Sequence, residues 1–169
     1  VYLKLADGPH TYLFESVEGG ETWGRYSIIG LPARLTYTFR GHSMETRAHG
    51  ELVDSRTLED PLAEAERLRA AHQVPRVPGL PAFTGGLVGY FGYDAVRWIE
   101  ARLSKGWLKP DPTGCPDMLL LLSEELAVID NLSGKLYLVV YADPAKPRAW
   151  HDAQARLREL LGALRLPLS

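Results

Sequence analysis

The stretch from Tyr12 to Gly30 reads Y-L-F-E-S-V-E-G-G-E-T-W-G-R-Y-S-I-I-G. It enters on apolar, strand-like residues, passes through a polar turn and leaves on a second strand-like run. The pattern predicts one strand over Tyr12 to Ser16 and another over Tyr26 to Gly30. Gly19, Gly20 and Gly24 lie between them, where the chain needs backbone angles closed to other residues. Glu15 and Ser16 end the first strand, and Arg25 opens the second. A carboxylate and a hydroxyl therefore face a guanidinium across one turn, a set that can hold a small charged ligand. The same residues also suit a plain surface hairpin with a salt bridge, since turn chemistry accounts for most of them.

The residues beyond Gly30 extend the antiparallel reading. Ala33 to Arg40 alternates, with Leu35, Tyr37 and Phe39 on one side and Arg34, Thr36, Thr38 and Arg40 on the other, as in a half-buried strand. Ser43 to Ala48 returns after the Arg40-Gly41-His42 turn, and Leu52-Val53 follows His49-Gly50-Glu51, giving a meander. Upstream, Tyr2 to Leu5 alternates briefly as a short strand would. Asp60-Pro61 predicts a helix start, with an N-cap and a proline at the first helical position. The helix runs to about His72, with Leu62, Ala65 and Leu68 as its apolar stripe and Glu64/Arg67 and Glu66/Arg69 as exposed ion pairs.

Val74 to Pro81 reads as a connector. The next segment, F-T-G-G-L-V-G-Y-F-G-Y-D from Phe83 to Asp94, lacks the Gly-Lys-Ser/Thr of a phosphate loop and the order of a dinucleotide fingerprint. It predicts a buried strand, Leu87 to Phe91, whose glycines let another backbone or a ring come close. Asp94 then caps a short helix. Asp117 to Leu122 and Leu126 to Ile129 are strand-like around Glu124-Glu125. Asp130 to Gly134 is a hairpin loop, and Lys135 to Ala142 is the return strand, with both faces covered. Pro147 opens a last helix whose Trp150, Ala153, Leu157, Leu160, Leu161 and Leu164 share a face that is either core or a docking surface. Mostly antiparallel strands with a few flanking helices make this an α+β fold.

At 169 residues and 46% hydrophobic, the chain has the material for one domain with a sizeable core. A net charge of -2 provides no field built for nucleic acid. No apolar run approaches the roughly 20 residues that span a bilayer. Cys115 is the single cysteine, so no internal disulfide forms, and a reducing, cytoplasmic setting is expected. The chain opens on Val1 without a signal-peptide pattern and ends just past a helix at Leu166 to Ser169, so a fragment of a longer protein is expected.

The search for chemistry is largely negative. Cys115, between Gly114 and Pro116, has no histidine near it in sequence to serve as a base. His42 and His49 sit at turns, and a metal site there would need more ligands close by. No pair of carboxylates shows a spacing suited to acid–base work. The residues support no catalytic group and no metal ligand, and leave a small-ligand site near Glu15, Ser16 and Arg25.

Three segments resemble one family. L-F-E-S-V-E-G-G followed by G-R-Y-S-I-I-G is similar to the L-L-E-S-V-E-G-G and G-R-Y-S-F-I-G motif near the start of anthranilate synthase component I. Gly85 to Glu100, G-G-L-V-G-Y-F-G-Y-D-A-V-R-W-I-E, resembles that family's glycine-rich segment, and Pro116 to Asn131 resembles its strand pair. The matches come in the family's order from about Leu13 to Tyr141.

The resemblance implies that residues 1–169 are an N-terminal, tryptophan-regulatory domain within the larger component I fold. The C-terminal domain that binds chorismate and Mg2+ and carries the catalytic residues is absent. The whole enzyme would make anthranilate and pyruvate from chorismate, with ammonia from a glutamine amidotransferase partner, while this piece alone would bind no cofactor and be inactive. Carried over, Phe14, Glu15 and Ser16 border bound tryptophan, with Arg25 a basic neighbour that faces the ligand carboxylate or pairs with Glu15 or Glu21. Phe14 stands where the family usually has leucine. Two alternatives are the N-terminal domain of aminodeoxychorismate synthase component I, of the folate branch, and a free-standing scaffold or interaction domain docking through Trp150 and Leu157.

Overall fold

The computed structural model describes residues 1–15, 24–100, 102–103 and 111–167. In chain order the elements are α1 (Tyr2–Leu5), β1 (Tyr12–Phe14), β2 (Tyr26–Gly30), β3 (Leu35–Arg40), β4 (Ser43–Ala48), β5 (Glu51–Thr57), α2 (Pro61–Ala71), β6 (Gly86–Phe91), a 3-10 helix (Tyr93–Trp98), β7 (Met118–Ser123), β8 (Glu125–Asp130), β9 (Lys135–Val140) and α3 (Ala149–Arg165). The chain divides into two compact units built from discontinuous stretches. The first holds Val1–Ala33, Pro75–Gly85 and Ser123–Ser169, and the second holds Arg34–Val74 and Gly86–Leu122. This is the α+β arrangement expected, with antiparallel sheets and few helices. Among the described residues, no helix is long and apolar enough to cross a membrane.

The second unit is a five-stranded sheet of order β5-β4-β3-β7-β6. The β3–β4–β5 meander is antiparallel, with Phe39 opposite Met44 and also opposite Met118 of β7. The alternation of β3 places Tyr37 and Phe39 in a core with Met44, Met118, Leu120 and Leu122. Helix α2 adds Leu68, with Ala65 beside it. Its start is held by Asp60, whose Oδ1 accepts hydrogen bonds from the amides of Leu62 and Ala63, satisfying donors that the helix itself leaves unpaired.

Three expectations change in this unit. Glu64 is buried, not exposed: it accepts two hydrogen bonds from Arg67 and one from Arg56 on β5. The Arg67 and Arg56 guanidiniums hold its carboxyl below the usual carboxylate range. Strand spacing could not reveal Arg56 as the second partner, because it comes from a different element. The β6 strand is an edge rather than a buried strand; only Val88 is buried, and Tyr90 and Phe91 are exposed. Its glycines do permit close approach: a Cβ at Gly89 would lie 1.8 Å from the Leu119 carbonyl oxygen. The short helix after it takes its N-cap from Gly92, with no side-chain cap bond, and Asp94 instead pairs with Arg97.

The first unit is a four-stranded sheet of order β1-β2-β8-β9, with each neighbouring pair antiparallel. Ile29 and Leu31 of the β2 region and Ala127 of β8 join Leu5, Ala6 and Leu160 of α3 in its core. Tyr2 to Leu5 is one helical turn rather than a strand. Four residues of alternation are too few to decide, and the turn places Leu5 and Ala6 inward while Lys4 Nζ donates to the carbonyls of Leu164 and Leu166 at the end of α3. Those carbonyls have no partner within the helix, and the cation also suits their dipole.

Arg156 ties α3 to Glu125 on β8. Both side chains are partly exposed, so the pair contributes about 0.2–1 kcal/mol, less than the roughly 2 kcal/mol from burying Leu160. The apolar face of α3 is therefore core at Leu160, while Trp150 at its start is exposed. Leu136 on β9 is also exposed, so the return strand is not covered on both faces.

Gly89→Ala is expected to cost about 1–3 kcal/mol through overpacking against β7. Gly134→Ala, where a Cβ meets no atom within 4 Å, is expected to cost about 1 kcal/mol from its positive φ alone. Urea midpoints of the two variants check the order; equal midpoints would mean that β6 shifts away freely.

Candidate functional site

The antiparallel register of β1 and β2 sets Phe14 opposite Ile28. The exit of β1 and the entry of β2 therefore lie at the same end of the first sheet. Phe14 is the last residue of β1 and is 48% exposed, its ring centroid 4.9 Å from that of Tyr12. Glu15 follows it and is exposed. Ser16 lies outside the described residues, as does Glu21. Arg25 immediately precedes β2.

Arg25 finds its counter-charge on β8. Its Nε donates to Asp130 Oδ1 at 3.0 Å and its Nη2 to Oδ2 at 2.6 Å, a two-pronged contact of the kind that gives guanidinium–carboxylate pairs their strength. Asp130 is 1% exposed, and its Oδ1 also accepts from the amides of Leu132 and Ser133. The Arg25 guanidinium, with help from Ser133, holds the Asp130 carboxyl well below the usual carboxylate range. The same guanidinium lies 5.0 Å from the Tyr26 ring.

Next to this pair, the Asn131 amide donates to the Arg25 carbonyl, and Asn131 Nδ2 donates to Ser27 Oγ. This end of the sheet is thus closed by a connected set, Arg25, Asp130, Asn131 and Ser27, that links the entry of β2 to the β8–β9 loop.

The structure therefore brings Phe14, Glu15 and Arg25 to one end of the sheet and gives Arg25 a partner that sequence reasoning missed. The sequence pattern places Asp130 in a hairpin loop, and its position at the start of that loop is the available signal, since aspartate there commonly accepts from amides two and three residues on. Nothing in sequence joins it to Arg25, 105 residues away. At this end of the sheet the Phe14 ring and the Glu15 carboxylate are exposed, and the Arg25 guanidinium is bound to Asp130. Among the described residues at this strand end, Phe14, Glu15 and Arg25 include no nucleophile paired with a base.

Elsewhere, Cys115 is exposed in a loop. The His42 ring shares a hydrogen bond with the Leu58 carbonyl, and His49 occupies a turn at φ 52°. Among the described residues, no three His, Cys, Asp or Glu side chains gather in a way that could hold a metal ion.

Arg25→Ala leaves the buried Asp130 carboxylate without its counter-ion, and the thermal midpoint is expected to fall by about 5–10 °C. Asp130→Asn retains an acceptor for the loop amides and is expected to cost less. Its pH dependence has a definite sign. The folded carboxyl is held below its unfolded value of about 3.9, so its stabilisation is whole above about pH 4 and is lost as the pH falls below that. The stability gap between the native chain and Asp130→Asn should narrow from pH 6 to pH 3; a constant gap would show that the pair does not depend on the ionised carboxylate.

No family model matches the chain. Curated relatives do. Anthranilate synthase component 1 of Pseudomonas aeruginosa is 52% identical over 169 residues, covering 100% of this chain and 34% of the relative. The protein of the same name in Pseudomonas putida is 50% identical with the same coverage, and that of Acinetobacter calcoaceticus is 41% identical over 172 residues. Among solved structures, anthranilate synthase component I from Streptococcus pneumoniae TIGR4 matches with a TM-score of 0.66 at 25% identity, covering 95% of this chain and 33% of that one. The chain spans about a third of the length of the relatives it matches. In sequence over its whole length, and in fold, the chain is a homologue of that third of anthranilate synthase component I.

Proposed function

We propose that the chain is the N-terminal, tryptophan-regulatory part of an anthranilate synthase component I working in the cytoplasm. The observation that carries this reading is the 50–52% identity, over every residue of the chain, to proteins of that name. The whole enzyme would convert chorismate to anthranilate and pyruvate, with ammonia supplied by a glutamine amidotransferase subunit. Its Mg2+, chorismate and catalytic groups would belong to the C-terminal part. With those groups assigned to that part, the chain alone is expected to be inactive.

The regulatory site in this reading lies at the exit of β1. Phe14 provides an apolar wall and Glu15 a carboxylate for the ligand's ammonium. Ser16, assigned on the motif it belongs to, accepts a hydrogen bond from the same group. Arg25 holds the frame through Asp130, and its exposed side borders the ligand carboxylate. Bound tryptophan suppresses turnover only if it binds one arrangement of the full enzyme better than another.

The test is a product assay on the full-length enzyme, given chorismate, Mg2+ and ammonia and followed by anthranilate fluorescence. Anthranilate formation that tryptophan suppresses supports the reading. A non-fluorescent amino-chorismate product, indifferent to tryptophan, would move the chain to aminodeoxychorismate synthase component I. Within the anthranilate reading, Ser16→Ala is expected to raise the half-inhibiting tryptophan concentration about tenfold or more, the worth of one hydrogen bond to a charged group, and to spare turnover without tryptophan. An equal loss of that turnover would overturn the assignment of Ser16.

A further inference from the structure

Strand β1 is three residues long and lies at the edge of its sheet, so its ladder of backbone hydrogen bonds is short. The Tyr12 side chain supplies further anchorage. Tyr12 stands opposite Gly30, and its ring covers that glycine so closely that a Cβ there would come within 1.9 Å of Cε1. Its hydroxyl is hydrogen-bonded to Ser123 Oγ at 2.7 Å. Its ring also packs on that of Phe14, two residues on in the same strand. Burial pushes the Tyr12 hydroxyl up from its usual range, so it stays protonated and able to bond across neutral pH.

Ser123 occupies a particular place. It is 2% exposed, it ends β7, and the chain passes from the second unit to the first between Leu122 and Ser123. Gly85 lies against it: a Cβ on Gly85 would be 2.5 Å from the Ser123 carbonyl oxygen and 2.7 Å from the Tyr141 hydroxyl. Gly85 is itself the last residue before another passage between the units, and both it and Gly86 have φ angles, 129° and 118°, that favour glycine. Tyr12, Ser123 and Gly85 all belong to the first unit. Within the first unit, Gly85 and Ser123 are therefore in contact, and Tyr12 joins Ser123 to the strand that ends in Phe14.

We propose that Tyr12 is a positioning residue that couples the ligand site at Phe14 and Glu15 to the chain crossing at Ser123 and Gly85. This rests on the reading of that site as the one that binds tryptophan. The mechanical reason is the direction left open to the ring. A ligand that presses on Phe14 presses on the Tyr12 ring. The ring already touches Gly30, so the displacement goes to the hydroxyl and its bond to Ser123. Elements that move between discrete arrangements turn at a few residues of this kind, at the ends of strands and in loops.

The test uses the full-length enzyme with Tyr12→Phe, Ser123→Ala and both together. Tyr12→Phe keeps the ring over Gly30 and loses only the hydroxyl. Each single variant is expected to keep tryptophan affinity, measured by calorimetry, within about twofold, and to keep kcat and KM without tryptophan. The factor by which saturating tryptophan suppresses turnover is expected to fall about fivefold, the effect of losing one neutral hydrogen bond. The double variant should fall no further, because the two groups share one interaction. Unchanged suppression in Tyr12→Phe, additive losses in the double variant, or a loss of tryptophan affinity with full suppression kept would each overturn the coupling role while leaving the site in place. A native enzyme that tryptophan does not inhibit would overturn the site reading itself.

Discussion

A carboxylate removed from water needs its counter-charge and its donors supplied by the protein, and Asp130 obtains both at one end of the first sheet. Arg25 provides the charge, and the amides of Leu132 and Ser133 provide the remaining bonds. The consequence is structural. The residue that leads into β2 is tied to the loop that joins β8 to β9, and Asn131 repeats the tie through the Arg25 carbonyl and Ser27. Phe14 and Glu15 are exposed at the neighbouring strand end.

Backbone contact organises much of the rest. Gly89 allows β6 to lie against Leu119, Gly30 allows Tyr12 to cover β2, and Gly85 allows the connector to meet Ser123. A methyl group at any of the three would occupy space already taken. These glycines sit in different elements, so no single motif describes them; each marks a place where a backbone or a ring has to come closer than a side chain permits. The consecutive strands β7 and β8 add a second constraint. Both are almost wholly buried, yet they pair in different sheets, with β3 and β2 respectively. Ser123, Glu124 and Glu125, between Leu122 and Leu126, are where one chain passes from one core to the other.

Among the described residues, the ionised groups taken out of solvent serve the fold. The buried ionic groups, Asp130 and Glu64, are held ionised by arginines and have donors on hand, which suits them to fixing loops and helices and not to moving protons. The aromatic ring of Phe14 and the carboxylate of Glu15 at the β1 exit are exposed. The relatives that match the chain are about three times its length.

Local pattern was enough to define much of the fold. The period-two alternation of Leu35, Tyr37 and Phe39, the Asp60-Pro61 helix start and the Tyr26 to Gly30 strand each depend on residues adjacent in sequence, and each lies where the pattern placed it. The motifs from Leu13 to Asn131 were likewise enough to indicate the family. Tertiary structure decided what depends on distant partners: that Glu64 is buried by Arg56, that Arg25 belongs to Asp130, that β6 is an edge, and that Tyr2 to Leu5 coils under α3. Side-chain periodicity records which face of an element is apolar. It does not record which element comes to lie against that face, because the pairing of charges and the order of strands are settled by segments tens to more than a hundred residues away.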